Sequence, residues 1–202
     1  MEDSDKEKIQ TLLISDAVEF INQAMSLLGT LAKSSEDVLE IFDIPQLEPG
    51  QIPKLPKGVT FLMFVGIIAK FEPDWCNGFS ELHITEPTPH LSESIQYLRN
   101  LEVVKIYRCQ LETLPDEIGE LSKLRVLNLG YNHILSLPKT FSNLQNLESL
   151  SLAGNPITIE GIPIELGSLP KLQKFYVWFS GLVDKDQLEQ RLNNPNIVFF
   201  GY

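Results

Sequence analysis

The chain has 202 residues, 43% hydrophobic and 21% charged, which is enough for one sizeable core or for one domain with an appendage. Its 27 acids against 16 bases leave a net charge of -11, which repels nucleic-acid backbones and anionic lipid, so neither nucleic acid nor membrane is an expected partner. Two cysteines, Cys76 and Cys109, are too few for a disulfide scaffold, residues 1–10 are acidic where a secretory signal is basic and then apolar, and no apolar run reaches the ~20 residues that cross a bilayer; a cytoplasmic protein is expected.

Charge divides the chain in two. Residues 1–50 carry eleven acids and three lysines, whereas residues 51–202 carry sixteen acids and thirteen bases. The first part reads as one long helix over residues 5–33, opened by a capping box of Ser4 and Glu7. Its polar stripe is Ser15, Glu19, Asn22, Ser26, Thr30 and Lys33. The remaining faces, with Ile9, Leu13, Ile21, Ala24 and Leu28, are too broadly apolar to stay in water. A second short helix begins at Ser34 or Ser35 and ends before Pro45, and Pro45, Pro49, Gly50, Pro53, Pro56 and Gly58 then make a linker. The expected organisation is an amino-terminal helical cap with its proline-rich linker over residues 1–55 and a second domain over residues 56–202.

From Leu98 the sequence repeats. Residues 98–120 read LRNLEVVKIYRCQLETLPDEIGE and residues 121–143 read LSKLRVLNLGYNHILSLPKTFSN, with the apolar positions superimposing one for one. Residues 144–168 keep the frame with two extra residues, and residues 169–194 keep it more loosely. The pattern resembles a leucine-rich repeat, most closely the L-P-x-x-I variety of the bacterial and Ras-associated intracellular members of that family. Following the first strand leucine gives Val59, Phe79, Leu101, Leu124, Leu147, Leu172 and Ile197 as one series. The expected fold class is therefore α/β: a solenoid with a curved parallel sheet of six to seven strands, the first strand at Val59, Leu62 and Phe64 and the last placing Ile197, Phe200 and Tyr202 against Leu172, Phe175 and Val177. Asp184 with Gln187 starts a closing helix through Leu188 and Leu192.

The resemblance implies that Cys109, Asn132, Asn155 and Ser180 form a ladder whose side chains bond to unpaired backbone groups of neighbouring turns, with Pro87 and Ile67 in the two earlier repeats giving irregular turns. It makes Cys109 a buried structural thiol and not a nucleophile. Three histidines, His83, His90 and His133, fall in three different repeats without metal-ligand spacing, and no phosphate-binding or nucleophile motif is present, so no enzyme activity, metal or cofactor is expected. The family holds protein partners on the outward residues of its sheet. Between the leucines these residues read Lys105, Asn128, Ser151 and Tyr176, then Tyr107, Gly130, Ala153 and Trp178, then Arg108, Tyr131, Gly154 and Phe179. Tyr176, Trp178 and Phe179 in one repeat, over small neighbours Ser151, Ala153 and Gly154, predict a hollow for an apolar group of the partner, with a carboxylate near Lys105 and Arg108. The expected function is a monomeric, non-catalytic protein-interaction module. The competing reading is the recognition part of an enzyme system, such as a ubiquitin-ligase-like effector or a signalling regulator.

Overall fold

A computed structural model describes residues 1–14, 18–48, 50–55, 59–177 and 184–200. These residues divide into two compact units, one ending at Phe79 and one starting at Ser80.

Among its described residues the first unit has helices joined by irregular segments and no strand. Helices α1 (Asp3–Ile14) and α2 (Val18–Leu31) pack against each other instead of continuing one axis, so the expected single helix is a pair. Pairing gives the broad apolar surface its cover: Ile9, Leu13, Ile21, Ala24 and Leu28 are buried between α1, α2 and their neighbours, while Glu19, Asn22, Ser26 and Thr30 stay exposed as the stripe requires. Ser4 lies inside α1, so the expected capping box does not form. Helix α3 (Ser35–Ile41) is capped by Ser34, whose side chain accepts from the Asp37 N–H.

Residues 59–71 are the main departure from expectation. They form no strand. Thr60 accepts from the Met63 N–H at 3.3 Å and opens α4 (Phe61–Ile68), which packs on α2 and α3 and buries Leu62, Phe64, Val65, Ile67 and Ile68. Eight successive apolar or glycine residues carry no periodicity to separate helix from strand, so the decision falls to the cap and the packing partners. Ile67 is consequently not a ladder residue, and the repeat that was expected to start at Val59 folds with the amino-terminal helices. A short α5 (Pro73–Cys76) completes the unit with an aromatic cluster: Trp75 meets Phe64 at 5.7 Å, Phe79 at 4.9 Å and Phe61 at 6.1 Å between ring centroids. The Trp75 indole N–H donates to the Glu48 carbonyl at 2.9 Å and so ties down the proline-rich segment.

The second unit is the repeat array. Its six strands are β1 (Glu81–Ile84), β2 (Val103–Ile106), β3 (Val126–Asn128), β4 (Ser149–Ser151), β5 (Lys174–Tyr176) and β6 (Val198–Phe200), all parallel and in sequence order. Alternation sends Val104, Ile106, Leu127, Leu129, Leu150, Leu152 and Phe175 into the core. The chain returns through 3-10 turns at Glu93–Tyr97, Asp116–Glu120, Lys139–Asn143 and Ile164–Ser168, which bury Ile95, Ile118, Phe141 and Leu166 against those strands. Helix α6 (Lys185–Leu192) packs on the last of these turns, with Asp184 accepting from the Gln187 N–H at 3.0 Å as the sequence predicts.

Strand β6 is shifted by one residue from its expected register. Phe199, not Phe200, lies opposite Phe175, and Phe200 lies opposite Tyr176. The approach to β6 is not a repeat turn: Asn193 closes α6 in the left-handed region at φ 45°, Asn194 donates to the Gly167 carbonyl at 2.8 Å, and its Oδ1 accepts from the Asn196 N–H at 3.0 Å. This connection takes one residue fewer, and a one-residue slip exchanges the two faces of a strand.

The ladder forms. Asn132 Oδ1 accepts from the N–H groups of Cys109 (2.9 Å) and Leu111 (3.1 Å), and its Nδ2 donates to the carbonyls of Ile106 (2.7 Å) and Leu129 (2.8 Å). Asn155 repeats this one turn later, accepting from Ile134 and donating to Leu129 and Leu152. Cys109 closes the row by donating to the Ile84 carbonyl at 3.0 Å. Ser180 lies outside the described residues.

Candidate functional site

Strands of three or four residues present few side chains, so the outward face can be read row by row from the register. One row runs His83, Lys105, Asn128, Ser151, Tyr176, Phe200, and the row two residues earlier runs Glu81, Val103, Val126, Ser149, Lys174, Val198. Beyond the strand ends come the turn residues that lead into the ladder.

Those turns decide the chemistry. Arg108, Tyr131 and Gly154, each one residue before its ladder position, take left-handed backbone at φ 58°, 56° and 71°. This conformation drops the next side chain into the core and lifts the turn residue outward, and only glycine adopts it without cost. Two of the three positions nevertheless carry large side chains. Gly154 shows what they need: a Cβ there would sit 2.9 Å from Cδ1 of Tyr131, so the ring leans over the bare backbone of the next repeat. The hollow expected over Gly154 is therefore filled by Tyr131.

Tyr131 in turn meets Tyr107 edge to face, with ring centroids 5.2 Å apart and planes at 67°. The Arg108 guanidinium carbon lies 5.2 Å from the Tyr107 centroid and 5.1 Å from the Tyr131 centroid. Both distances are within cation-π range. Tyr107 is 42% exposed and Arg108 is exposed, so the sequence places an arginine and two tyrosines on one open surface. Asn128 is half-buried and spends its Oδ1 on the Gly130 N–H at 3.0 Å. Lys105 is exposed, Ser151 is half-buried, and Tyr176 stacks on Phe200 with centroids 4.7 Å apart and planes at 17°. Among the described residues the aromatic groups of this face thus form two clusters, Tyr107–Tyr131 and Tyr176–Phe200, with Asn128 and Ser151 between them. Trp178 and Phe179 lie outside the described residues. Sequence reasoning missed Lys174, which a two-residue step back from Tyr176 would have found, and Phe200, which the slipped register concealed.

Carboxylates are handled elsewhere. Along the edge where the strands begin, Arg125 Nε donates to Glu148 at 3.0 Å and its Nη1 lies 3.5 Å from Glu102. The hydrogen bond to Arg125 holds the Glu148 carboxyl below the usual range and raises the guanidinium in return. On β1, Glu81 lies 3.4 Å from His83.

Neither cysteine is prepared for chemistry. Burial pushes the Cys76 thiol up to about 11, and burial with Glu86 nearby also raises Cys109. A thiol with a raised pKa supplies little thiolate at neutral pH, so labelling of the native protein by a thiol reagent at pH 7 is expected to be slow at both sites and to become fast on unfolding. Rapid labelling of native Cys109 would contradict its place in the ladder. Among the described residues no cluster of histidine, cysteine and acidic side chains could hold a metal ion, and no helix is long and apolar enough to cross a membrane.

Residues 81–194 match the profile of a leucine-rich repeat region. The human volume-regulated anion channel subunit LRRC8A is 40% identical over 86 residues, which cover 42% of this chain and 10% of that protein. The disease resistance-like protein DSC1 of Arabidopsis thaliana is 29% identical over 140 residues, 66% of this chain and 10% of that protein. Plant intracellular Ras-group-related LRR protein 7 of Oryza sativa subsp. japonica is 33% identical over 72 residues, 35% of this chain and 27% of that protein. The chain therefore spans between a tenth and about a quarter of the length of these relatives. An internalin of Listeria monocytogenes superposes with a TM-score of 0.53 at 21% identity, covering 63% of this chain and 36% of that one. The plant peptide hormone receptor RGFR1, solved in complex with RGF2, superposes with a TM-score of 0.50 at 22% identity, covering 61% of this chain and 20% of that one. At these identities the likeness is one of fold.

Proposed function

Because this chain belongs to the leucine-rich repeat proteins, whose repeat domains are in general non-catalytic protein-binding modules, we propose that it holds a protein partner against the outward face of β2–β5. The observation that carries this reading is the exposed Arg108 seated on Tyr107 and Tyr131. Arginine and tyrosine are, with tryptophan, the residue types that most often supply interface energy. Stacking fixes the guanidinium before a partner arrives, which lowers the ordering cost of binding. Lys105, Asn128, Ser151 and Tyr176 complete the contact surface on this reading, and two buried, unbridged thiols suit a reducing compartment such as the cytoplasm.

The test is capture of a partner with the intact protein, set beside Tyr107→Ala and Arg108→Gly. Each is expected to weaken binding by about 2 kcal/mol, or roughly 30-fold. Arg108→Gly separates binding from folding, because relief of left-handed backbone offsets the lost stacking and the melting temperature should stay close to wild type. A variant that melts early yet binds normally would place these side chains in a structural role.

A further inference from the structure

We propose that the partner element recognised on this face is an acidic, extended peptide segment laid across β2–β5, with carboxylates at its two ends and an apolar side chain between them. This rests on the reading of the outward face as the binding surface and adds the chemistry of what it binds.

The first ground is charge. The protein carries -11 overall, yet the outward positions of β2–β5 and the turn beyond β2 hold Lys105, Arg108 and Lys174 and no carboxylate. Among the described residues none of these three cations has a carboxylate within ion-pair distance; Glu148 feels the charge of Lys174 but is bonded to Arg125, which also faces Glu102. A face kept cationic on an acidic protein attracts an anionic partner to that patch, while the acidic remainder of the surface repels it.

The second ground is spacing. Lys105 and Tyr176 share a row three strands apart, and Lys174 lies one row earlier on β5. At ~4.8 Å per strand this separates the two lysines by roughly 16 Å, the reach of about five residues of extended chain at ~3.3 Å each. Between the cations lie the low side chains Asn128, Ser151 and Ser149, flanked by the two aromatic clusters, so the middle of the segment has a polar floor and apolar walls. The strands beneath are already paired on both sides, which requires the segment to cross them and bind through side chains. A nucleic acid would also supply anions at intervals, but a long polyanion must approach a body of net charge -11, whereas a short acidic peptide is drawn to the local patch.

The experiment is selection from a random twelve-residue peptide library on the intact protein at low salt, followed by titration of enriched peptides against wild type, Lys105→Glu, Arg108→Glu and Ser151→Trp. Enrichment of peptides with Asp or Glu about four to six positions apart is expected, with affinity falling roughly tenfold or more in each charge-reversal variant and again on raising salt from 50 to 500 mM. Lys105→Glu sits on an exposed strand position and keeps the test independent of any folding defect at Arg108. Enrichment of neutral or basic peptides, an absence of enrichment, or indifference to both reversals overturns the proposal. Ser151→Trp separates the two levels: loss of peptides that are not acidic leaves the face and removes the acidic segment, whereas unchanged binding of every peptide removes the face itself. A fluorescent twelve-nucleotide oligothymidylate serves as a competing probe, and binding as tight as the peptides would reassign the patch to nucleic acid.

Discussion

Asn132→Leu is expected to lower the unfolding free energy by roughly 3 kcal/mol or more, the largest loss of any single substitution at the ladder. Leucine keeps the branched skeleton of asparagine but is bulkier and has no polar atom, so crowding adds to the loss of hydrogen bonds. The side chain is 2% exposed, and its Oδ1 is the acceptor for the N–H groups of both Cys109 and Leu111. Without it two buried amides lose their partner, each costing about 1 to 3 kcal/mol. The carbonyls suffer less, since Leu129 keeps the bond from Asn155 at 2.9 Å. Cys109→Ser is expected to cost about 1 kcal/mol or less, because a hydroxyl can still donate to the Ile84 carbonyl that the thiol now meets at 3.0 Å. Urea unfolding of both variants decides the matter, and equal losses would show that the ladder is not read through hydrogen bonds.

Gly167→Ala should be nearly as damaging, at about 2 to 4 kcal/mol, for a different reason. A Cβ at this position would lie 1.9 Å from the Leu192 carbonyl oxygen and 2.7 Å from its carbon, atoms of the α6 backbone that cannot rotate away. The methyl therefore has to displace the carboxy-terminal helix or the 3-10 turn beneath it, and the bond from Asn194 to the Gly167 carbonyl goes with it. Because repeats are stabilised by their neighbours, the damage should begin at the carboxy-terminal end, seen as faster amide exchange in β5 and β6 before β2 and β3. Gly29→Ala is the control of opposite sign. Its Cβ would meet only Ile67 Cγ1 at 3.8 Å, and in the last turn of α2 alanine is expected to add up to about 0.5 kcal/mol. A Gly167→Ala protein that melts with wild type would mean that α6 does not seat there.

Much of the repeat unit was legible in the sequence because its rules are local. The 23-residue frame of residues 98–143 placed β2 and β3, the alternation of Leu127 and Leu129 placed the core, and Cys109, Asn132 and Asn155 marked turns whose amides need an internal partner. Asp184 and Ser34 announced their helices through short-range hydrogen bonds between residues three apart. The candidate site was legible only as a roll of residues. Lys105 and Tyr107 could be assigned to the outward side from their parity, but Arg108 and Tyr131 share the parity of the buried Ile106 and Leu129 and turn outward only through their left-handed backbone, and nothing in the spacing says that Arg108 lies on both rings, since that follows from those turns and the missing Cβ of Gly154.

What tertiary structure alone decided lies where periodicity gives out. Residues 61–68 are apolar on every side, so their helix was chosen by Thr60 at its start and by α2 and α3, which it buries itself against. The separation of α1 from α2 was chosen the same way, by the free energy of covering Ile9, Leu13, Ile21 and Leu28 together. At the far end, the bonds of Asn194 to Gly167 and Asn196 set where β6 begins and thereby turned Phe200 outward onto Tyr176. A repeated pattern fixes residues relative to their neighbours one turn away. Where the pattern ends, the choice passes to contacts between residues far apart in the chain, and those are settled only when the surfaces meet.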